Sequence, residues 1–369
     1  MKSIGALPMQ RIRDLMDADF LTGATSEHIN PGSLDLTPTN QFFRVRGAFL
    51  PNPNETVEDA LKRVGAIPIA EGSVLERGGC YVCKLSERIA HMPEGLYAYA
   101  NPKSSSGRVD LYVRMLADKV SRYDSVPRGY KGDLWLLIAP KTFSVFTPVG
   151  VPLNQLRLFN HDTRLDQLQL ETCFAQDGGF LYRPDGSMIS YPELQHSDRD
   201  GSVILTLGLD FEFPGFEAIM GSEPIDLSLK GHYDPKFFFR PISVPDNALF
   251  LNANTFYILS TKERVRVPVN YACEMAPMDE RSGDFRSHYA GFIDPGWGVG
   301  NGGESNGRPL TLEVRSFDNG IVILNGQPIA KVKYEEMIEV PDSHYDTFAP
   351  NYGDQSGPRL SKHFLPWGK

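Results

Sequence analysis

Apolar residues along the chain follow the pattern of short β-strands more often than that of helices. Stretches such as SLDLTPTNQFFRV, LWLLIAP, SVILTLGLDFEF and TLEVRSF alternate or briefly run apolar, and they are broken by Gly, Pro, Asn or Asp. Helical spacing occurs in MQRIRDLMDADF, from Met9 to Phe20, and in TVEDALKRV, with Asn54 as the predicted N-cap and Gly65 as the predicted stop. The pattern predicts a mainly β protein with a few short helices.

The pattern also repeats itself at a constant spacing of 176 residues. The segment YVCKLSERIAHMP matches YILSTKERVRVP, and VGVPLNQLRLF matches NGQPIAKVKYE. The matched pairs are Tyr81 and Tyr257, Glu87 and Glu263, Arg88 and Arg264, Gly150 and Gly326, and Pro152 and Pro328. Because both ends of the repeated unit agree on one shift, the sequence indicates an internal duplication.

The duplication predicts two β domains, with one copy around residues 66–160 and the other around 244–337. Short strands at this spacing are typical of a sandwich, a jelly roll or a barrel. The stretches QDGGFLYRPDGS and HSDRDGS belong to a connection with additional strands. We divide the chain into residues 1–165, with a serine-rich loop, and 166–369, with a glutamate-bearing strand and a C-terminal tail.

The two copies differ where their chemistry would lie. NPKSSSGR, residues 101–108, has its expected counterpart in APMDER, at 276–281, so acidic residues replace the serines. In the apolar strand LWLLIAP, Leu137 falls opposite Glu313 of PLTLEVRS. Each copy keeps one group of polar residues that the other has lost.

Both features have a functional and a structural interpretation. Hydroxyls and backbone N–H groups in a turn between Lys103 and Arg108 can surround phosphate oxygens, but a polar surface turn uses the same residue types. Apolar neighbours of Glu313 can desolvate its carboxylate and raise its pKa toward that of a general base. Alternatively, Glu313 shares the solvent face of its strand with Thr311 and Arg315.

Composition excludes several classes of protein. A net charge of −9 argues against a general nucleic-acid or membrane-surface binder. The chain has no 18-residue apolar run, and its start lacks the features of a secretory signal, so a cytoplasmic location is expected. Four cysteines make no disulfide framework. Cys80 and Cys83 form a C-x-x-C in a predicted strand without a second ligand pair, which favours structural cysteines over a zinc site.

Two further segments allow more than one interpretation. YAGFIDPGWG, residues 289–298, concentrates Pro and Gly in a tight turn that needs no function to explain it. The C-terminal stretch PNYGDQSGPRLSKHF is either an unstructured tail or a lid that folds over a ligand.

Taken together, these motifs resemble the dCTP deaminase branch of the dUTPase-like β-barrel superfamily, in the long, duplicated form found in some bacteria. INPGSLDL is similar to the opening strand of that family, and KSSSGR to its Arg-Ser-Ser-x-x-Arg phosphate motif, with Lys103 for the first Arg. HYAGFIDPGW followed by TLEV resembles the turn and strand of the catalytic glutamate, and YGDQSG resembles the nucleotide-covering tail. The resemblance covers most of the chain and implies two tandem dUTPase-like β-barrel or jelly-roll domains.

The resemblance also implies residue roles. The implied catalytic residues are Glu313, Ala290, Arg108 and Ser104. The implied substrate-binding residues are Lys103, Ser104, Ser105, Ser106, Arg108, Asp294, Tyr352 and Gln355. Glu313 would be general base and proton shuttle, while the main-chain carbonyl of Ala290 would help to hold the attacking water. Asp294 would order the sugar or the turn beneath it, and Gln355 would cap the nucleotide. Asn351 stands where the family often has Lys.

The implied reaction is hydrolysis of dCTP to dUTP and ammonia, in the synthesis of pyrimidine deoxynucleotides. Zinc deaminases use H-x-E with P-C-x-x-C, which this sequence lacks, so we expect no zinc and Mg²⁺ only through the substrate triphosphate. Sites of the family lie between neighbouring barrels. A homo-oligomer is therefore expected, in which one copy needs only its loop and the other only its glutamate.

Two alternatives remain open. A dUTP pyrophosphatase, or a bifunctional enzyme, would share the fold, but GFIDPGWG lacks the Tyr-Arg of the turn G-x-I-D-x-x-Y-R-G found in such enzymes. A non-catalytic nucleotide-binding β protein would not need Glu313. The sequence fixes neither the number of associated chains, nor regulation by dTTP or dUTP, nor selectivity for deoxyribose. Nucleic acid and membrane are not expected partners.

Overall fold

Two compact units make up the chain in a computed structural model that describes residues 4–176, 179–194, 200–278, 285–288, 291–316, 319–348 and 351–368, with backbone alone at 285–288. The N-terminal unit contains Ala6–Asp162, Met220–Asp234 and Ser361–Lys369, and the C-terminal unit contains Met1–Gly5, Thr163–Ile219 and Pro235–Leu360. The units differ from the predicted division at residues 165 and 166, because Met220–Asp234 and the end of the chain pack with the first copy. Strand periodicity identifies strands but does not tell on which copy a connecting segment packs.

The helices are short. They are α1 Met9–Asp17, α2 Val57–Arg63, α3 Ser104–Gly107 and α4 Gln167–Gln176, with 3-10 helices at Ser26–His28, Tyr191–Glu193, Pro235–Phe237 and Pro245–Asn247. The first two confirm the segments with helical spacing. The prediction of Asn54 as the N-cap of α2 is wrong, because the Thr56 hydroxyl accepts a hydrogen bond from the Asp59 N–H at 3.2 Å. Gly65 follows the helix with φ of 67°, as a stop residue requires.

Strands dominate both halves of the chain. In chain order they are β1 Leu21–Thr22, β2 Ile29–Asn30, β3 Ser33–Leu36, β4 Pro38–Val45, β5 Ile67–Ile69, β6 Cys80–Ile89, β7 Tyr97–Pro102, β8 Leu111–Ala117, β9 Ser125–Val126, β10 Gly132–Pro140, β11 Val145–Phe146, β12 Asn154–Phe159, β13 Leu181–Tyr182, β14 Ser202–Thr206, β15 Phe216–Ala218, β16 Ile225–Asp226, β17 Phe239–Pro241, β18 Ala248–Leu251, β19 Phe256–Val265, β20 Tyr271–Ala276, β21 Phe285–His288, β22 Phe292–Ile293, β23 Arg308–Ser316, β24 Ile321–Leu324 and β25 Pro328–Glu336. The prediction of a mainly β protein is confirmed.

The sheets of the two units have the same strand order. In the N-terminal unit the orders are β5-β4-β6-β10-β8, with β1 on β6, and β2-β3-β12-β7-β9. In the C-terminal unit they are β17-β15-β19-β23-β21, with β13 on β19, and β14-β25-β20-β22. Apart from β2, which extends the edge of the N-terminal unit's second sheet, each strand of one series has its counterpart in the other, and this confirms the duplication at the level of topology.

Strand register shows that the 176-residue spacing is also a spatial equivalence. Val82 pairs with Leu137 across β6 and β10, and Ile258 pairs with Glu313 across β19 and β23. Side-chain hydrogen bonds agree as well: the Tyr81 hydroxyl accepts from the Glu76 N–H, and the Tyr257 hydroxyl from the Asn252 N–H, each at 2.9 Å. Glu313 therefore occupies the position of Leu137 in the other copy.

In each unit a buried glutamate links the two main sheets by hydrogen bonds to a threonine. Glu87 lies on β6 and Thr37 follows β3, while Glu263 lies on β19 and Thr206 ends β14. Glu87 accepts hydrogen bonds from the N–H and hydroxyl of Thr37 at 2.8 and 2.7 Å, and Glu263 accepts the same pair from Thr206 at 2.8 and 2.6 Å. Burial raises the pKa of both carboxyls, that of Glu87 to about 7. These matched pairs explain why the two glutamates fall at equivalent positions of the repeat.

Candidate active site

The serine-rich loop forms a single helical turn after β7. The N–H groups of Ser106 and Gly107 donate to the Lys103 carbonyl at 2.9 and 3.0 Å, and the Arg108 N–H donates to the Ser104 carbonyl at 2.9 Å. Ser105, Ser106 and Arg108 are buried. The loop is therefore a hydrogen-bonded and largely buried part of the N-terminal unit, and not a loose surface turn.

Side-chain contacts divide the serines of this loop. The Ser106 hydroxyl donates to the Leu153 carbonyl at 3.0 Å, which makes this serine a structural contact between the loop and the start of β12. The Ser104 hydroxyl accepts from the Arg108 Nε at 3.0 Å, so the guanidinium and this hydroxyl lie side by side. Ser104 and Arg108 form the most suitable pair for a phosphate oxygen, because one offers a hydroxyl and the other a positive charge.

Lys103 is held by a carboxylate that sequence reasoning missed. Its ammonium lies 2.5 Å from both oxygens of Asp35, which also accepts from the Asn30 side-chain amide at 2.8 Å. Asp35 lies on β3, far from the loop in sequence, and no periodic signal connects the two. An approaching phosphate would have to share Lys103 with this carboxylate.

Glu313 lies in the middle of β23 in the C-terminal unit. It is 3% exposed and pairs by backbone register with Ile258 on one side and His288 on the other. The prediction that Glu313 is desolvated is therefore confirmed, and the alternative of a solvent-facing glutamate is wrong. Thr311, two positions earlier on the same strand face, is also buried.

The tight turn predicted from IDPGWG forms after β22. Asp294 is buried, and its carbonyl accepts from the Trp297 N–H at 3.2 Å. Gly296 has φ of 88°, and a Cβ at this position would meet the His344 side chain at 2.5 Å, so both conformation and space require glycine. Ala290, the predicted water-holding residue, lies outside the described residues, as do positions 279–281 of APMDER.

The first part of the C-terminal tail runs beside the strand that carries Glu313. Tyr352 and Gln355 are buried, and the Gln355 side-chain amide donates to the Pro309 carbonyl at 2.5 Å. The Arg359 N–H donates to the Thr311 hydroxyl at 3.2 Å. The tail is thus ordered along β23 and is not an unstructured end, while Asn351 is exposed.

The last part of the tail packs in the N-terminal unit, beside the serine-rich loop. The Ser361 hydroxyl donates to the Ser105 carbonyl at 3.0 Å. The connecting segment then holds the tail: Gly231 and His232 donate their N–H groups to the carbonyls of Lys362 and His363, each at 2.9 Å. We call residues 229–233 and 361–365 together the tail clamp.

Cysteine chemistry offers no metal centre in the described structure. Cys80 and Cys83 are free thiols on β6, and burial raises the pKa of both. Among the residues that the structure describes, no group of three or more His, Cys, Asp or Glu side chains could hold a metal ion. The protonated, buried Cys83 acts as a small apolar side chain.

The N-terminal unit thus contains Lys103, Ser104, Ser105, Ser106 and Arg108, and the C-terminal unit contains Asp294, Glu313, Tyr352 and Gln355. Family models described as the 2'-deoxycytidine 5'-triphosphate deaminase (DCD) N-terminal domain and C-terminal domain match residues 3–162 and 190–364. A crystal structure of 2'-deoxycytidine 5'-triphosphate deaminase from Agrobacterium tumefaciens is 32% identical in sequence, with a TM-score of 0.82, and the alignment covers 92% of this chain and 100% of that one. No curated protein sequence matches the chain.

Fold and site together define a duplicated, mainly β enzyme. The chain belongs to the 2'-deoxycytidine 5'-triphosphate deaminase family. In the described part of the chain, no helix is long and apolar enough to cross a membrane.

Proposed function

We propose that this enzyme hydrolyses dCTP to dUTP and ammonia, with Glu313 as the general base. The observation that carries the proposal is the burial of Glu313 on β23, at the position that is Leu137 in the other copy. A carboxylate costs free energy at a buried strand position where the fold accepts leucine, so its presence calls for a function. Membership in the dCTP deaminase family supplies the reaction.

In the proposed reaction, Glu313 takes a proton from water while the water oxygen forms a bond to C4 of the cytosine ring. The protonated carboxyl delivers this proton to the ring nitrogen N3, then takes the second proton of the former water from the hydroxyl now on C4 and passes it to the exocyclic amine. The bond between C4 and the exocyclic nitrogen breaks, ammonia leaves, and C4 keeps the oxygen as a carbonyl. One water is consumed for each ammonia released, and Glu313 returns to its starting state.

The serine-rich loop is proposed to bind the triphosphate. Arg108 and Ser104 already lie side by side at 3.0 Å, which suits a charge-assisted contact with phosphate oxygens. Ser105 and Lys103 are proposed to support this contact, and Mg²⁺ is expected to enter with the triphosphate. Asp294, Tyr352 and Gln355 are proposed nucleotide contacts.

We also propose that water activation needs no zinc, because the sequence lacks the H-x-E and P-C-x-x-C set of zinc deaminases. Cytoplasmic location, association of chains, regulation by dTTP or dUTP, and the water contact of Ala290 stay predictions.

The test is ammonia release from dCTP by metal-stripped protein with added Mg²⁺, with chromatographic separation of dUTP from dUMP. Glu313→Gln is expected to lower the turnover of dCTP by about 10²- to 10⁴-fold, because the amide cannot act as a base, while dCTP still binds. Glu212→Gln, a change of an exposed carboxylate in the same unit, is the matched control and should keep full turnover.

Full turnover in Glu313→Gln would exclude Glu313 as the base. Formation of dUMP would replace deamination alone by a bifunctional reaction, and tight dCTP binding without turnover in the unsubstituted protein would favour the non-catalytic alternative.

A further inference from the structure

Positive charge gathers at the tail clamp beside the serine-rich loop. Burial lowers the pKa of Lys362, and the charges of Lys103 and Lys230 lower it further, so the three ammonium groups interact electrostatically. Asp35 is the carboxylate that acts on Lys362 in the opposite direction. In a chain with a net charge of −9, such a local excess of cations favours the binding of a polyanion.

Backbone contacts fix the two lysines relative to the loop. Ser361, next to Lys362, donates its hydroxyl to the Ser105 carbonyl at 3.0 Å. Gly231, next to Lys230, donates its N–H to the Lys362 carbonyl at 2.9 Å. Lys230 and Lys362 are therefore held beside the same loop by a segment from the middle of the chain and a segment from its end.

Of the other titratable groups beside the clamp, His363 adds no charge at pH 7 and Asp226 offsets only part of the positive charge. His363 donates from Nδ1 to the Leu229 carbonyl at 2.7 Å, and burial lowers its pKa to about 4, so its ring is neutral at pH 7. Asp226 acts on the His363 ring and accepts hydrogen bonds from the N–H and hydroxyl of Ser228.

We propose that Lys230 and Lys362 form a subsite for the outermost phosphate of the nucleotide, which selects a triphosphate over a diphosphate. This inference rests on the proposed function, since it takes the serine-rich loop as the triphosphate site. In this proposal Lys103, which is bound to Asp35 at 2.5 Å, orders the loop. Lys230 and Lys362 supply the positive charge for the outermost phosphate.

The pKa of Lys362 gives this subsite a pH dependence. Burial, followed by the charges of Lys103 and Lys230, lowers the pKa to about 8. Lys362 is therefore charged at pH 7 and loses its charge as the pH rises through about 8 to 9 in the free protein. An arginine at this position would keep its charge throughout that range.

The experiment measures the affinities of dCTP and dCDP by calorimetry in the Glu313→Gln background, and of inorganic tripolyphosphate in the unsubstituted background. Lys362→Gln and Lys230→Gln should each weaken dCTP and tripolyphosphate binding at pH 7 by about 10-fold or more, with dCDP binding unchanged. Lys131→Gln, a change of an exposed lysine in the same unit, should alter none of the affinities. Lys362→Arg should restore dCTP binding and remove its decline between pH 7 and 9.

Equal losses for dCTP and dCDP would overturn the inference, because the lysines would then act through the fold, and so would unchanged dCTP affinity in both variants. If Lys362→Gln fails to fold in a melting experiment, the pH profile of Lys362→Arg decides alone: a decline like that of the unsubstituted protein overturns the proposal. Tripolyphosphate binding that depends on Lys362 in a protein that releases no ammonia from dCTP would overturn the proposed function and leave this subsite standing.

Discussion

At the scale of single residues, the buried glutamates at the sheet junctions make stability depend on pH. Glu87 is 1% exposed, and burial raises its pKa from 4.5 to about 7 despite two hydrogen bonds from Thr37. A raised folded-state pKa means that the protonated form is the one the fold prefers. The neutral Glu87 carboxyl therefore makes its full contribution to the free energy of unfolding below pH 4.5. This contribution is lost as the pH rises through about 7.

Glu87→Gln should remove this dependence, because the amide is neutral at every pH and keeps the same shape. At pH 4 the variant should be about as stable as the unsubstituted protein. At pH 8.5 it should be more stable by about 3 kcal/mol, which follows from the size of the pKa difference. Denaturant titrations at both pH values, followed by hydrogen exchange of peptides that cover β6, would measure the difference.

Glu263→Gln provides the matched control, since Glu263 has the equivalent contacts with Thr206 in the other unit. Its effect should appear in peptides that cover β19. A Glu87→Gln variant that is less stable at pH 8.5 than the unsubstituted protein would show that the carboxylate form is the preferred one.

Residue types alone predicted part of the candidate site. The loop serines, Arg108 and Glu313 were predictable because hydroxyls beside cations, and a carboxylate in an apolar strand, depart from local pattern. Asp35 and Lys362 were not, since a single Asp in a strand and a single Lys near a chain end are ordinary. Both residues are distant from the serine-rich loop in sequence, and only the fold brings their segments beside it.

At the scale of elements, the hydrophobic pattern predicted the mainly β class and strands such as β10 and β23, because alternating or continuous apolar runs reflect burial in a sheet. The two copies were predicted from motifs that repeat at a spacing of 176 residues. Boundaries depend on finer contacts. The N-cap of α2 shows this: Asn54 and Thr56 are both good capping residues, but the helix begins at Val57, directly after Thr56.

Thr56→Ala should lower the free energy of unfolding by about 1 kcal/mol, because the Asp59 N–H would lose its partner. Asn54→Ala, a change of an exposed residue outside the helix, should have an effect below about 0.5 kcal/mol. Thermal unfolding of the two variants side by side measures this difference. A larger loss for Asn54→Ala than for Thr56→Ala would restore the sequence-based assignment of the cap.

At the scale of the whole molecule, chain order and packing order differ. The unit with the serine-rich loop takes a segment from the middle of the chain, Met220–Asp234, and the last segment, Ser361–Lys369. Sequence repeats could not reveal this packing, because the two segments of the clamp are not part of the repeated pattern. They are held mainly by backbone hydrogen bonds. Residue type is not decisive for such bonds.

Truncation after Leu360 should therefore expose the middle segment. The N–H groups of Gly231, His232 and Tyr233 would lose the carbonyls of Lys362 and His363, so peptides covering 229–233 should exchange hydrogen at least about 10-fold faster. Peptides covering β19 should exchange at an unchanged rate. Continued protection of 229–233 in the truncated protein would show that the tail does not hold this segment.

The clamp also has a consequence for how the protein is made. A ribosome delivers the chain from its first residue to its last, and the unit that begins with Ala6 needs Ser361 and its neighbours to be complete. The serine-rich loop receives its contact from Ser361 only after the second copy, which lies between the two in sequence, has been synthesised. A chain that stops before Ser361 lacks this segment and cannot make the contact with Ser105, even though its entire serine-rich loop has been synthesised.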